Sequence, residues 1–400
     1  VWNRPRALAA TLAVTLAGGL AACTTRTETP PTASAPSSSA APSPVITSAS
    51  ASAPAADCVS QILGGLSLEE RAGQLLMIGT PVDAPRPLAR TVQRLHLGGV
   101  FLAGRSTRTA TALRADIATL TRANGDLPPL VSLDQEGGSV QTLKGRDFPL
   151  LPSAQKLGAR SQTELHDAVR DSARRLDAIG ITLNLAPVAD TVPVEVGAAN
   201  PPIGAFRRQY GSDPAKVAAA ITTAVPASQD AGVLTVLKHF PGLGRVRANT
   251  DVSRDVVDGQ ASADDPYLEP FAAGIEAGSA AVMMSSARYP QLDRKTIAAY
   301  SEPIVTGLLR GKLGFRGMVV SDDLGAADAA AIVPVGERAV RFVAAGGDLA
   351  LTIRPQDAEP MAAGLIAEAR RSPAFDTRVT DAARNVLTAK DRAGLLSCGR

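Results

Sequence analysis

The apolar run Met318-Val319-Val320 ends in Ser321-Asp322-Asp323. Carboxylates at the end of a buried strand are costly to desolvate, so a pair of them there points to binding or chemistry. Other apolar runs end in similar clusters. Asp134-Gln135-Glu136-Gly137-Gly138 sets two acids beside a double glycine. A loop that brings carboxylates and backbone close to a ligand would use such a string, and so would a buried salt bridge. Ala186-Pro187-Val188-Ala189-Asp190 ends in another acid, and a long loop then leads to Arg207-Arg208. Lys238-His239-Phe240-Pro241-Gly242-Leu243-Gly244 places two basic groups at one strand end. A lone His is more often structural, but Lys and His together suit ligand contact better than a core. The Gly-Leu-Gly is a weak phosphate-loop signal and is set aside. Alternation puts Asp322 and Asp323 on opposite faces, and where both faces are buried the pattern does not choose between them.

Clusters at strand ends require a scaffold that collects those ends. Eight strand-length apolar runs are present, at 74–79, 99–102, 130–134, 182–187, 235–240, 281–285, 318–321 and 349–353. They are continuous rather than alternating, as expected of parallel strands buried on both faces. Helical spacing fills the gaps, as at 164–179 and 214–231. Eight such units predict an α/β fold, a (β/α)₈ TIM barrel, whose functional groups lie at the C-terminal strand ends. A doubly wound open sheet shares this periodicity. No second domain is expected, because the eighth unit already uses the C-terminal residues.

The first residues read as a targeting segment. Arg4 and Arg6 precede a short apolar stretch over 7–20, too short for a confident transmembrane helix, and Leu20-Ala21-Ala22-Cys23 follows. The expected division is a lipoprotein signal peptide at 1–22, a Ser/Pro/Ala/Thr-rich flexible linker at 23–56 and one folded domain at 57–400. Acylation of Cys23 would tether the protein to the outer face of a bacterial membrane. In that oxidising compartment Cys58 and Cys398, near the two ends of the folded region, are expected to form a disulfide. The charge of +3, from 41 basic and 38 acidic side chains, falls closer to neutral without Arg4 and Arg6, and no basic run suggests nucleic acid. The single Trp is Trp2. A pocket reading one small ligand by hydrogen bonds therefore fits better than an open aromatic groove.

The stretch Leu308 to Gly325, LLRGKLGFRGMVVSDDLG, resembles the active-site signature of glycoside hydrolase family 3. DQEGG at Asp134, KHFPG at Lys238, Leu66-Ser67-Leu68-Glu69-Glu70, Leu151-Pro152-Ser153-Ala154, Met283-Met284-Ser285 and Tyr289-Pro290 match the same family in order. The resemblance is to single-domain bacterial β-N-acetylglucosaminidases. It implies a retaining exo-hydrolase that removes terminal β-linked N-acetylglucosamine from a carbohydrate, here from cell-wall peptidoglycan fragments, through a covalent glycosyl-aspartate. It implies Asp322 as nucleophile, with Asp323 structural. Asp134, Lys238 and His239 would bind the sugar. The loop Ile203-Gly204-Ala205-Phe206-Arg207-Arg208-Gln209-Tyr210-Gly211-Ser212-Asp213 resembles the family's IGxRxFGSDP with two extra residues. The sugar-binding Arg matches Arg208, with Arg207 as the alternative register. The family needs no metal or organic cofactor.

One departure bears on mechanism. The family's FPGHG…DSH string, which carries an Asp-x-His acid/base pair, is replaced by Leu243 in PGLG and by Asp251-Val252-Ser253. His96 and His166 are expected too far away to substitute. The expected acid/base is Asp251, with Asp255 beside it. Two alternatives stay open at this point: a sugar-binding lipoprotein with impaired catalysis, and β-glucosidase-like specificity.

Overall fold

The computed structural model describes residues 57–397. Cys23, the expected leader and linker, and Cys398 lie outside them. Eight parallel strands follow one another: β1 Leu76–Pro81, β2 Gly99–Ala103, β3 Leu130–Leu133, β4 Leu183–Asn184, β5 Leu234–Phe240, β6 Ala281–Met284, β7 Met318–Ser321 and β8 Ala350–Thr352. Each pairs with its neighbours in chain order, and β8 returns to β1 with Leu76 opposite Ala350. A bridge between Val320 and Leu349 joins β7 to the approach of β8 and closes the ring. The predicted barrel is therefore present, and the open sheet is excluded.

The strands are apolar on both faces because the barrel has two apolar layers. Met77, Phe101, Leu130, Leu183, Val236, Met283, Val320 and Leu351 pack together inside the barrel, while Ile78, Val100, Val131, Leu237, Val282 and Val319 pack in the outer layer. Successive side chains of a strand point to opposite faces, so these two sets alternate along each strand. Val386 and Ala389 of the last helix, Pro373–Arg392, join the inner set.

Helices cover the outside. Gln162–Asp177 starts at a capping box in which Ser161 and Glu164 satisfy each other's free backbone N–H groups, and Pro214–Gln229 starts at the N-cap Asp213. Behind β7 and β8, the fully buried Asp348 accepts hydrogen bonds from Arg310, Arg378, Asn385 and the backbone of Val319. At the other end of the chain, Cys58 is disulfide-bonded, and its helix Cys58–Gly65 begins at the N-cap Asp57.

Strand ends differ from the sequence expectation by a few residues. β4 is shorter than 182–187, although Leu185 still donates to Leu133 O and Ala186 O still accepts from Val236 N before Pro187, which has no N–H to donate. Two small antiparallel pairs were not anticipated: Gln135–Gly137 with Val140–Gln141, and Arg288–Tyr289 with Asp293–Ile297. The first lies directly after β3 and shapes the site.

Candidate active site

The inner register of the barrel continues upward into a cavity of about 580 Å³ at the C-terminal strand ends. Inner residues Leu130 and Ser132 put Asp134 on the same face. Val236 does so for Lys238, and Met318 and Val320 do so for Asp322. All three line the cavity, together with His239, Arg208 and Asp251. The inner layer puts Asp322 on the barrel-facing side of β7, and Asp323 also lines the cavity.

The double glycine explains how the acids after β3 are presented. Gly137 and Gly138 have φ of 99° and 56°, where a Cβ is disfavoured, and the chain folds back into its short hairpin. The Gln135 amide locks that hairpin by exchanging two 3.0 Å bonds with the backbone of Leu143. Asp134 is thereby held at the cavity edge and Glu136 is sent beneath it.

Glu136 is the hub of the cavity wall. Its carboxylate receives a two-pronged bond from Arg208, Nε and Nη2 each at 2.8 Å, and lies 2.5 Å from the Lys238 ammonium. Lys238 also donates to Asp134 at 2.6 Å. Burial pushes the Glu136 carboxyl upward, but the Arg208 and Lys238 charges outweigh it and hold its pKa at about 2. Burial likewise works against the Lys238 charge, and Asp134 and Glu136 overcome it, so its pKa is raised.

His239 is fixed from the other side by the fully buried Asp190. One Asp190 oxygen takes the His239 Nδ1 contact at 2.7 Å and the His239 backbone N–H at 3.2 Å. The other accepts the Leu243 N–H at 2.6 Å. With Nδ1–H donating to Asp190, Nε2 is an acceptor, consistent with Arg208 Nη2 at 3.4 Å.

Most of the Arg208 fork is engaged by protein groups rather than facing open cavity. Nε and Nη2 hold Glu136, Nη1 donates to Pro202 O at 2.8 Å, and Nη2 also faces His239. Of five donors, one Nη1–H is left over. Of the two arginines left open by the sequence, Arg208 lines this cavity and Arg207 does not.

Asp322 donates its backbone N–H to Met284 O of β6 at 3.0 Å, and its side chain faces the cavity. Asp323 instead accepts the backbone N–H groups of Gly325, Ala326 and Ile353, so it shapes the turn after β7. Asp251 comes from the loop after β5, which is tied to the loop after β7 by Ala329 N to Thr250 O at 3.3 Å and Asp328 N to Asp251 O at 3.4 Å. Two features anchor the root of the Asp251 loop. Gly244 packs where a Cβ would meet Thr191 O at 1.7 Å, and Arg245 pairs with Asp258 and Asp265 while stacking on Tyr267. Asp251 sits at the cavity mouth. The surrounding protein and then the nearby Asp322 charge raise its pKa above the usual aspartate range.

Asp255 does not stand beside Asp251 in the cavity. It is exposed and pairs with Arg288. His96 lies at the far end of the barrel, bonded to Asn124, and His166 lies on the helix Gln162–Asp177 beside Asp167, so neither reaches the site. Among the described residues, no group of three His, Cys, Asp or Glu side chains is arranged to hold a metal ion. Glu136 and Asp190 are the functional residues that sequence reasoning left without roles. Both stand in quoted strand-end clusters, and that position was their signal.

Residues 67–389 match the glycosyl hydrolase family 3 N terminal domain. The fold superposes on a β-N-acetylhexosaminidase from Beutenbergia cavernae with a TM-score of 0.79 and 45% identity, over 82% of this chain and 99% of that one. A family 3 β-N-acetylglucosaminidase from a Paenibacillus species gives a TM-score of 0.76 and 31% identity, over 84% of this chain and 64% of that one. In sequence, a β-hexosaminidase of Xanthomonas oryzae pv. oryzae is 35% identical over 286 residues, which is 66% of this chain and 79% of that protein.

Proposed function

The chain belongs to glycosyl hydrolase family 3, and on that premise we propose that it is a retaining exo-β-N-acetylhexosaminidase that releases terminal N-acetylglucosamine. The observation that carries this reading is the meeting of Asp322 and Asp251 in one cavity whose wall is built from Asp134, Lys238, Glu136, Arg208 and His239. The solved relatives named as hexosaminidase and glucosaminidase support the sugar class.

In the proposed reaction, the Asp322 carboxylate attacks the anomeric carbon while the glycosidic bond breaks. The Asp251 carboxylic acid gives its proton to the departing oxygen. Its raised pKa suits it to carry that proton at higher pH than an ordinary aspartate. The resulting glycosyl ester on Asp322 is cleaved by a water whose proton returns to Asp251. Asp134 is placed to accept from sugar hydroxyls and Lys238 to donate to them. Glu136 and Asp190 keep Lys238, Arg208 and His239 in position and, for His239, in one tautomer.

Asp251 thus replaces the Asp-x-His pair as a lone carboxylic acid. We further propose peptidoglycan fragments as the natural substrate, motivated by the DQEGG, KHFPG and SDD strings, and a lipid anchor at Cys23 on the outer face of the cell membrane, motivated by the composition of residues 1–56.

Steady-state hydrolysis of an aryl β-N-acetylglucosaminide tests the reading. Wild type should turn over, Asp322→Asn should lose essentially all activity, and Asp251→Ala should lose about 10²–10⁴-fold on poor leaving groups. An Asp322→Asn variant as active as wild type would remove Asp322 as nucleophile. Faster turnover of the matching glucoside would redirect the specificity.

A further inference from the structure

Arg207 and Arg208 are neighbours that serve different cavities. Arg207 has φ of 57°, a left-handed conformation uncommon for a residue with a side chain. Arg208 turns to Glu136, and Arg207 lines a second cavity of about 350 Å³ on the flank of the first. Ser139 and Phe206 line both cavities, so the two are continuous across one rim.

The second cavity differs in charge from the first. Asp134, Asp251, Asp322 and Asp323 line the catalytic cavity together with the cations Arg105, Arg208 and Lys238, so both signs are mixed there. The flanking one is lined by Lys156, Arg160 and Arg207 and by no carboxylate. Lys156 and Arg207 form no ion pair among the described residues, and Arg160 only lends its charge to Glu164, which is held by Ser161. The Arg207 carbonyl accepts the Gln155 N–H at 3.3 Å, which fixes the Arg207 loop against the segment bearing Lys156. Leu150 and Phe206 supply an apolar surface, 68% and 47% exposed.

We propose that this flanking groove binds the leaving-group half of the substrate and is selective for an aglycone carrying a carboxylate. The inference rests on the hexosaminidase reading, because only a terminal sugar seated over Asp322 sends its substituent out across the rim. Acids and bases offset one another inside, whereas the three cations of the flanking groove meet no carboxylate in its lining and favour an anion there.

The test compares N-acetylglucosaminyl-β-1,4-N-acetylmuramic acid with N,N′-diacetylchitobiose, which lacks the lactyl carboxylate. The full chain, Arg207→Ala and the double variant Lys156→Ala/Arg160→Ala are measured on both. Wild type should show the lower KM for the acidic disaccharide, and each variant should raise that KM about threefold to tenfold, the range for exposed charged contacts. The chitobiose KM should stay unchanged, and salt should narrow the difference. Equal wild-type KM values, or variants that weaken both substrates alike, overturn the proposal. If neither disaccharide is cleaved, calorimetric titration with the acidic one decides. Binding lost in Arg207→Ala retains the groove and rejects the hydrolase, whereas absent or Arg207-independent binding rejects the groove.

Discussion

At the residue scale, carboxylates of the site stand in unlike surroundings. Glu136 is buried between two cations and Asp251 sits at the cavity mouth facing Asp322, so their proton affinities move in opposite directions. The acid role of Asp251 requires its proton, so kcat/KM should fall as pH rises through its pKa. That alkaline limb should lie above the ordinary aspartate range and disappear from the profile of Asp251→Ala, whose residual activity added azide should raise by replacing water as nucleophile. A limb unchanged in that variant would assign the acid elsewhere. Glu136 makes a stability prediction. Its folded pKa of about 2 lies below its ordinary 4.5, so it stabilises the fold above about pH 4.5 and loses that effect as pH falls toward 2. The linkage amounts to about 3 kcal/mol. Glu136→Gln should therefore flatten the acid limb of stability in urea titrations while lowering stability at pH 7, because Arg208 and Lys238 lose their shared partner. Asp134, Lys238 and Asp322 were picked out in the sequence by their place near strand ends together with the family resemblance, and the structure puts all three on one cavity. Glu136 and Asp190 were not assigned, because their partners are 72 and 49 residues away. That Arg207 and Arg208 line different cavities was not legible, because it depends on the left-handed backbone turn at Arg207.

At the element scale, the eight strand runs were legible because a barrel strand is apolar on both faces and cannot be mistaken for an amphipathic surface strand. The hairpin after β3 escaped notice, since its two- and three-residue strands are too short to show periodicity. Yet that hairpin carries Glu136. The loop after β5 was read correctly as the carrier of Asp251. Its contacts to the loop after β7 and the Arg245 pairing with Asp258 and Asp265 arise only from folding. Asp255 was misplaced beside Asp251 because proximity in sequence says little about direction within an irregular loop. Behind β7 and β8, Asp348 supplies a measurable test of the scaffold. Asp348→Ala would leave Arg310 and Arg378, 18% and 22% exposed, without their common anion. The expected loss is about 3–5 kcal/mol in denaturant midpoint experiments. A loss below about 1 kcal/mol would show that water compensates the two arginines, as at exposed pairs.

At the scale of the whole molecule, the barrel converts eight local strand ends into one rim. The inner layer that fills the barrel is continuous with the cavity floor, so Met77, Phe101, Val236 and Val320 support the level at which Lys238 and Asp322 emerge. Family membership was legible because the matching strings run through nearly the whole folded region, and the barrel has the expected strand order. The second cavity across Phe206 was not legible, because its cations come from segments some 50 residues apart that meet only in the fold. The proposed mechanism requires that Asp322 form a covalent bond to the sugar. It is tested most directly by incubating the protein with a 5-fluoro β-N-acetylglucosaminyl fluoride, whose second step is slow, followed by intact-mass and peptide-mass analysis. One added 5-fluoro-N-acetylglucosaminyl group is expected on the peptide containing Asp322, and none in Asp322→Asn. Undiminished turnover of the aryl substrate with the label on another carboxylate, or with no label at all, would contradict it.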